Sequence, residues 1–286
     1  MEPPLSSMAW CRMPLGSLPS AGRGYVVAVD TDAVLTLLQD VAEEVITPRF
    51  RALASGDVHE KNPGDLVTVA DHEAEVLITR ALNAAYPDAV VLGEEAHAAE
   101  GLLLEAYAGA DHAFTVDPVD GTKNFVHGSP DHAVMVSEVR DGEGVRAWIW
   151  QPQHGLAYVA ERGAGAYRNG ERLRRAVPDG DALAGRTSRR AWIGKAFGGL
   201  APLTLTWVSC GIDYPKLVEG ETDYLLYGST RPWDHVPGAL LVREAGGAVG
   251  RTDGKPYVAR DIAAPGLVAA ASPAAYDIVW RAVAGG

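Results

Sequence analysis

Cysteine is nearly missing from this sequence: Cys11 and Cys210 are the only two in 286 residues. Two cysteines give no disulfide framework and fit a reducing compartment, so a cytoplasmic location is expected. Long apolar runs are missing too. None approaches the ~20 residues that a helical membrane span requires, and a soluble protein with no membrane partner is expected. Basic residues are scarce: 25 Lys and Arg face 37 Asp and Glu, for a formal net charge of −12. That balance argues against nucleic acid as a partner. It also opposes any anionic substrate unless bound cations reverse the sign locally, so a metal-free site is expected to repel phosphate. Residues 1–24 lack an amphipathic period and are rich in Pro, Ser and Gly, which reads as a disordered extension. Pro3, Pro4, Arg12, Pro14 and Pro19 interrupt any apolar core of a secretory signal.

What is present is a hydrophobic content of 47%, enough to bury a large core in one large or two intimate domains. Apolar positions at helical spacing predict helices over residues 32–50 and 71–85. Asp141-Gly142-Glu143-Gly144, between two apolar stretches, signals a hairpin, and further strands are expected over 156–160 and 165–168. Gly163-Ala164-Gly165 with Gly170 resembles a dinucleotide loop only superficially, since no helix follows, and reads as a hairpin turn. Beyond it the pattern predicts a buried strand over 201–209, a short helix over 214–220, a strand over 224–227, a helix over 234–245 and a last strand over 267–271. The expected division is an N-terminal α+β half with a mixed sheet over 25–180 and a C-terminal α/β half over 181–286 that completes the site, with a soft boundary near Gly180.

Chemistry concentrates in Asp117-Pro118-Val119-Asp120-Gly121-Thr122. An apolar strand delivers Asp117, and Pro118 and Gly121 turn the chain toward a helix starting near Thr122. Carboxylate oxygens suit Mg²⁺ or Mn²⁺, and free N–H groups at a helix start favour an anion beside them. Alone, such a run is more often a turn with capping aspartates. Two further segments change that reading. A second apolar strand ends in Gly93-Glu94-Glu95, and Trp233-Asp234-His235 stands where a helix starts. Asp71 is at the start of a helix, where a capping aspartate is favoured with or without chemistry. His127, His132 and His235 lie near these motifs but read as structural or surface residues. Lys123 reads equally as a solvent-facing helix residue.

Taken in order, Asp65-Leu66-Val67-Thr68-Val69-Ala70-Asp71, Gly93-Glu94-Glu95, Asp117 to Thr122, Trp233-Asp234 and Glu244-Ala245-Gly246-Gly247 resemble the inositol monophosphatase family of metal-dependent, lithium-sensitive phosphatases. The resemblance implies a layered αβαβα sandwich and hydrolysis of a small phosphate monoester by direct attack of water, with two or three Mg²⁺ ions. It implies one cation on Glu94, Asp117 and the Val119 carbonyl, a second on Asp117, Asp120 and Asp234, and a weaker one served by Glu95. Asp71 and Thr122 are then expected to orient the attacking water, and the N–H groups of Gly121 and Thr122 to hold phosphate oxygens. Inositol-selective members carry an acid seven residues before the Trp-Asp aspartate, where this chain has Tyr227. Asp213 offers a hydroxyl acceptor in its place, so Asp120, Asp213 and Tyr227 are the expected substrate contacts. Inositol phosphate leads as substrate, with fructose 1,6-bisphosphate, histidinol phosphate and 3′-phosphoadenosine 5′-phosphate as alternatives. Relatives are commonly homodimers. A non-catalytic metal-dependent binding role is the reading of another class, disfavoured because the ligand set is retained.

Overall fold

The computed structural model describes residues 30–54, 56–62, 65–99, 101–178 and 182–285; the expected extension over 1–24 and the division near Gly180 fall outside them. Asp30 caps the first helix, α1 (Thr31–Val41), by accepting from the N–H of Ala33. The helical path continues to Arg49 as a π-type turn and a 3₁₀ turn holding Pro48, so the expected helix over 32–50 is continuous in path but not in type. A small hairpin of β1 (Val58–Asn62) and β2 (Asp65–Thr68) leads into α2 (Val69–Ala85). Thr68 caps α2, and Asp71 in the first turn accepts from the Thr68 N–H at 2.9 Å, a reciprocal capping box.

Next come β3 (Val90–Gly93), α3 (Glu94–Ala99), α4 (Leu103–Gly109), β4 (His112–Asp120) and the short α5 (Thr122–Val126). Then β5 (Ala133–Arg140), β6 (Glu143–Gln151), β7 (Leu156–Glu161), β8 (Gly165–Arg168) and β9 (Glu171–Leu173) run as a meander. With β3 and β4 they form a seven-stranded sheet in the order β3-β4-β5-β6-β7-β8-β9, in which only β3 and β4 pair in parallel. Asp141 and Gly142 make a two-residue turn with positive φ at both positions, the hairpin expected there. Gly163 and its neighbours likewise close the β7–β8 hairpin.

The second half contributes β10 (Gly185–Thr187), β11 (Thr204–Leu205), α6 (Cys210–Glu219), β12 (Tyr224–Tyr227), α7 (Pro232–Glu244), β13 (Ala248–Arg251), β14 (Leu267–Ala270) and α8 (Pro273–Ala284). Its five-stranded sheet has the order β11-β10-β12-β14-β13. Three departures from the sequence reading stand out. The expected buried strand over 201–209 pairs only at Thr204 and Leu205, both exposed, because it lies at the sheet edge with one neighbour. The segment after α7, expected only to lead toward a last strand, pairs as β13, and α8 follows β14 unanticipated. Finally, α6 starts at Cys210 and not at Tyr214. Pro215 would deprive the Gly211 carbonyl of its helical partner, and the Gln151 side-chain amide donates to that carbonyl at 2.7 Å instead.

Alternation along β4 and β12 explains the layering. Phe114 and Val116 share a cluster with Leu38 of α1 and Ile78 of α2, while Ala113, on the opposite face, joins Met135 and Ile149 against Val236 and Leu240 of α7. In the other sheet, Leu225 and Tyr227 meet that same α7 cluster, and Tyr224 and Leu226 pack with Val279 of α8. The order is therefore α1 and α2, large sheet, α6 and α7, small sheet, α8: the αβαβα sandwich. Gly238 permits the α6–α7 contact, since a Cβ there would lie 2.0 Å from the Tyr214 ring.

Candidate active site

Parity decides where the acids point. In a regular strand two residues three apart face opposite sides of the sheet. On β4, Asp117 pairs with Met135 and Asp120 with Ala133, so three steps on one strand match two on the other. This bulge at Pro118 and Val119 returns Asp120 to the face that Asp117 already shares with α6 and α7. Glu94 enters at the first position of α3, directly after β3, the parallel neighbour of β4. Asp234 comes from the first turn of α7 on the middle layer. Each of Glu94, Asp117 and Asp234 has a carboxylate oxygen within 4.8 Å of the others.

The electrostatics of that grouping are unfavourable without a cation. Asp117 is 1% exposed and its Oδ1 has no hydrogen-bond partner. Burial raises its carboxyl well above the usual range, and the charges of Glu94, Asp120 and Asp234 raise it further. Asp234 is raised in the same way, by burial and then by Glu94 and Asp120. Orphaned, hard oxygen donors of this kind fit Mg²⁺ or Mn²⁺.

Asp120 lines the same region but is held differently. Ser209 Oγ donates to its Oδ2, Gly211 N–H donates to Oδ2 at 2.7 Å, and Cys210 N–H donates to Oδ1 at 3.1 Å. The start of α6 thus solvates this carboxylate. Burial still pushes Asp120 up to about 6, against those hydrogen bonds. Gly211 is required for the approach: a Cβ there would lie 2.5 Å from Ala133 Cβ and 3.2 Å from Asp120 Oδ2.

At the start of α5, Thr122 Oγ1 lies 3.0 Å from Asp71 Oδ1 and 3.0 Å from the Val119 carbonyl oxygen. Asp71 is fixed in turn by the Thr68 hydroxyl, which donates to Oδ2 at 2.5 Å. Burial pushes Asp71 up to about 7 although Thr68 holds it down. Gly121, with φ of +82°, makes the left-handed turn between β4 and α5, and a Cβ on it would meet Ser209 Cβ at 2.9 Å.

Two charged residues at the site were not found from the sequence. Lys61 on β1 donates to Glu94 Oε1 at 2.9 Å and to Glu95 Oε1 at 2.8 Å. Burial opposes its charge, but the two glutamates outweigh burial and raise its pKa. Glu75 on α2 accepts from the N–H groups of Glu95 and Ala96, both at 2.8 Å, and so caps α3. A Cβ on Gly93 would fall 2.3 Å from Glu75 Cδ, which ties the glycine to this cap. Neither residue stands in an acidic motif, and a lysine in a polar strand or a glutamate within a helix gives no local signal of either role.

A cavity of about 250 Å³ adjoins the acids, with Asp120, Asp213, Tyr227 and Asp234 among its walls. The expected substrate contacts thus meet on one cavity, but Asp213 is already engaged. Trp207 N–H donates to its Oδ1 at 2.7 Å, and Tyr227 OH donates to its Oδ2 at 3.1 Å. Burial pushes Asp213 up to about 8. His235 also lines the cavity and is neutral, since burial pushes it down to about 3. His132 is buried against Phe50 and Phe125, and His127 contacts the Lys123 carbonyl. Among the described residues no helix is long and apolar enough to cross a membrane.

Comparison with known proteins gives one consistent result. The sequence profile described as inositol monophosphatase family matches residues 29–284. The chain is 35% identical over 231 residues to a Pseudomonas aeruginosa protein named Nus factor SuhB, covering 73% of this chain and 80% of that one. It is 35% identical over 210 residues to inositol-1-monophosphatase of Rhizobium meliloti, covering 69% and 76%. Among solved structures, the Thermotoga maritima IMPase superposes with a TM-score of 0.74 at 27% identity, covering 89% of this chain and 96% of that one.

Proposed function

We propose that this chain, which belongs to the inositol monophosphatase family, hydrolyses a small phosphate monoester with Mg²⁺, an inositol monophosphate or similar polyol or sugar phosphate being the leading substrate class. The observation that carries this reading is the convergence of Glu94, Asp117 and Asp234 within 4.8 Å, beside the Thr122–Asp71 pair. Those three acids, with Asp120, would hold Mg²⁺, which when bound neutralises phosphate charge and acidifies water.

The chain's own residues supply the rest. The single Thr122 hydroxyl proton has two acceptors at 3.0 Å, Asp71 Oδ1 and the Val119 oxygen, so it switches between them while the hydroxyl's lone pairs orient a water. Asp71, pushed up to about 7, is suited to take that water's proton near neutral pH. The N–H groups of Gly121 and Thr122 are assigned to the phosphoryl oxygens. Asp120, Asp213 and Tyr227 face the alcohol part of the substrate across the cavity.

The test is phosphate release from inositol 1-phosphate, fructose 1,6-bisphosphate, histidinol phosphate and 3′-phosphoadenosine 5′-phosphate, each with Mg²⁺ and with EDTA. Turnover that requires Mg²⁺ is expected for at least one. The same assay read with lithium and by size-exclusion chromatography tests the inhibition and the homodimer that the family suggests. Release from none of the compounds would move the assignment to the binding role, for which a relative's name of Nus factor is the supporting observation.

A further inference from the structure

We propose that Val208, with Leu205, gives the cavity beside the acids an apolar patch, and that the substrate is the phosphate monoester of an alcohol with a hydrocarbon face that packs on it. The inference rests on the phosphatase reading and narrows the substrate class for that same site.

The backbone at Val208 carries the argument. Its φ is +63°, in the left-handed region, and of the four non-glycine residues with positive φ among the described residues it alone is β-branched. That conformation is costly for a branched side chain. The chain is held in it from both sides. Before Val208, the Thr206 N–H donates to the Thr187 carbonyl at 3.2 Å and the Trp207 N–H to Asp213 Oδ1 at 2.7 Å. The Trp207 carbonyl accepts from the Asn124 side chain of α5 at 2.8 Å, and the Arg186 guanidinium stacks 3.7 Å from the Trp207 ring centroid. After Val208, the Ser209 hydroxyl donates to Asp120.

None of these contacts uses the valine side chain. Glycine or asparagine would make the same backbone bonds with less strain. What valine adds is an isopropyl group, and with the residue 40% exposed on the cavity wall, that group is not spent on filling the core. Leu205, 36% exposed, lines the same cavity. Most of the remaining wall is polar, with Asp213 and Asp234 and the hydroxyls of Ser188 and Ser229. An alcohol with hydroxyls on every side would lose hydration against the methyl groups of Val208 and gain no partner there. An alcohol with one hydrocarbon face loses nothing at that patch and keeps its polar groups for the rest of the wall.

Cyclohexyl phosphate is inositol 1-phosphate without its free hydroxyls, so the two compounds share a ring and a secondary alkoxide leaving group. Both are assayed on the Mg²⁺-loaded wild-type protein and on Val208→Asn, which accepts the left-handed backbone but not the apolar contact. The ratio of kcat/KM for cyclohexyl phosphate to that for inositol 1-phosphate is expected to fall about fivefold in the variant. An unchanged ratio, whether both compounds suffer equally or neither does, would overturn the role of Val208. Val208→Gly is expected to melt at the same or a higher temperature than wild type; a fall of several degrees would assign the side chain to the fold and overturn the inference as well. Calorimetric binding of the same two compounds gives the ratio without turnover. If wild type releases phosphate from neither, the phosphatase reading fails separately, and binding still decides: an about fivefold loss of relative affinity for cyclohexyl phosphate in Val208→Asn supports the apolar patch, and an equal ratio refutes it.

Discussion

Asp117 shows how one residue divides stability from function. Its carboxylate is buried, lacks a partner at Oδ1 and faces Glu94, Asp120 and Asp234. Removing a like charge from such a group relieves repulsion and desolvation. Asp117→Asn is therefore expected to raise the melting temperature of the EDTA-treated protein by a few degrees while lowering Mg²⁺-dependent phosphate release by about a thousandfold or more. Thermal unfolding and a phosphate assay on the same preparation check both halves; retained turnover would remove Asp117 from the metal set. At this scale the acids were legible because each ends a strand or starts a helix. Lys61 and Glu75 were not, because their partners, Glu94, Glu95 and the first N–H groups of α3, come from a distant part of the chain.

At the scale of elements, α2 does more than bury Ile78 and Leu82. Asp71 at its start reaches Thr122 on α5, and Glu75 one turn later caps α3, so a single helix fixes two arms of the site. A glutamine at position 75 keeps the shape but has only one acceptor oxygen for two N–H groups. Glu75→Gln is expected to fold and to need about tenfold more Mg²⁺ for half-maximal rate, with Mn²⁺ binding weakened in parallel when followed by electron paramagnetic resonance. A lower melting temperature with unchanged metal affinity would make Glu75 merely structural. Elements also show where local rules gave way. The helix expected over 214–220 begins four residues earlier, at Cys210, because Gln151 from β6 relieves the carbonyl that Pro215 leaves free. The apolar alternation of Leu203, Leu205 and Trp207 reads as a buried strand, but an edge position leaves Leu205 36% exposed.

For the whole molecule, the buried acids set how stability responds to pH. Burial raises Asp71 and Glu75 to about 7 and Asp213 to about 8, so the folded protein keeps protons that the unfolded chain has already released. Stability then falls as pH rises through that range. His132, pushed down to about 4, and His235, pushed down to about 3, act in the opposite sense below the ordinary histidine value of ~6.5. The clean window is between ~6.5 and 8. There the melting temperature of EDTA-treated protein is expected to drop with pH, and Mg²⁺ to stabilise more at the upper end while releasing protons. Scanning calorimetry across pH, and Mg²⁺ titrations in Mops and Tris, measure the two effects. A flat or rising melting temperature would mean that these acids are ionised in the folded protein.

The sequence by itself determined the family resemblance, the strand-end and helix-start positions of the acids, and the choice of a hard cation, because these follow from residue type and short-range spacing. Tertiary structure alone decided that a bulge on β4 brings Asp117 and Asp120 to one face, that Ser209, Cys210 and Gly211 hold Asp120, and that Lys61 lies between Glu94 and Glu95. Each of these joins residues far apart in the chain, and no local periodicity carries the register between two strands or the approach of one layer to another.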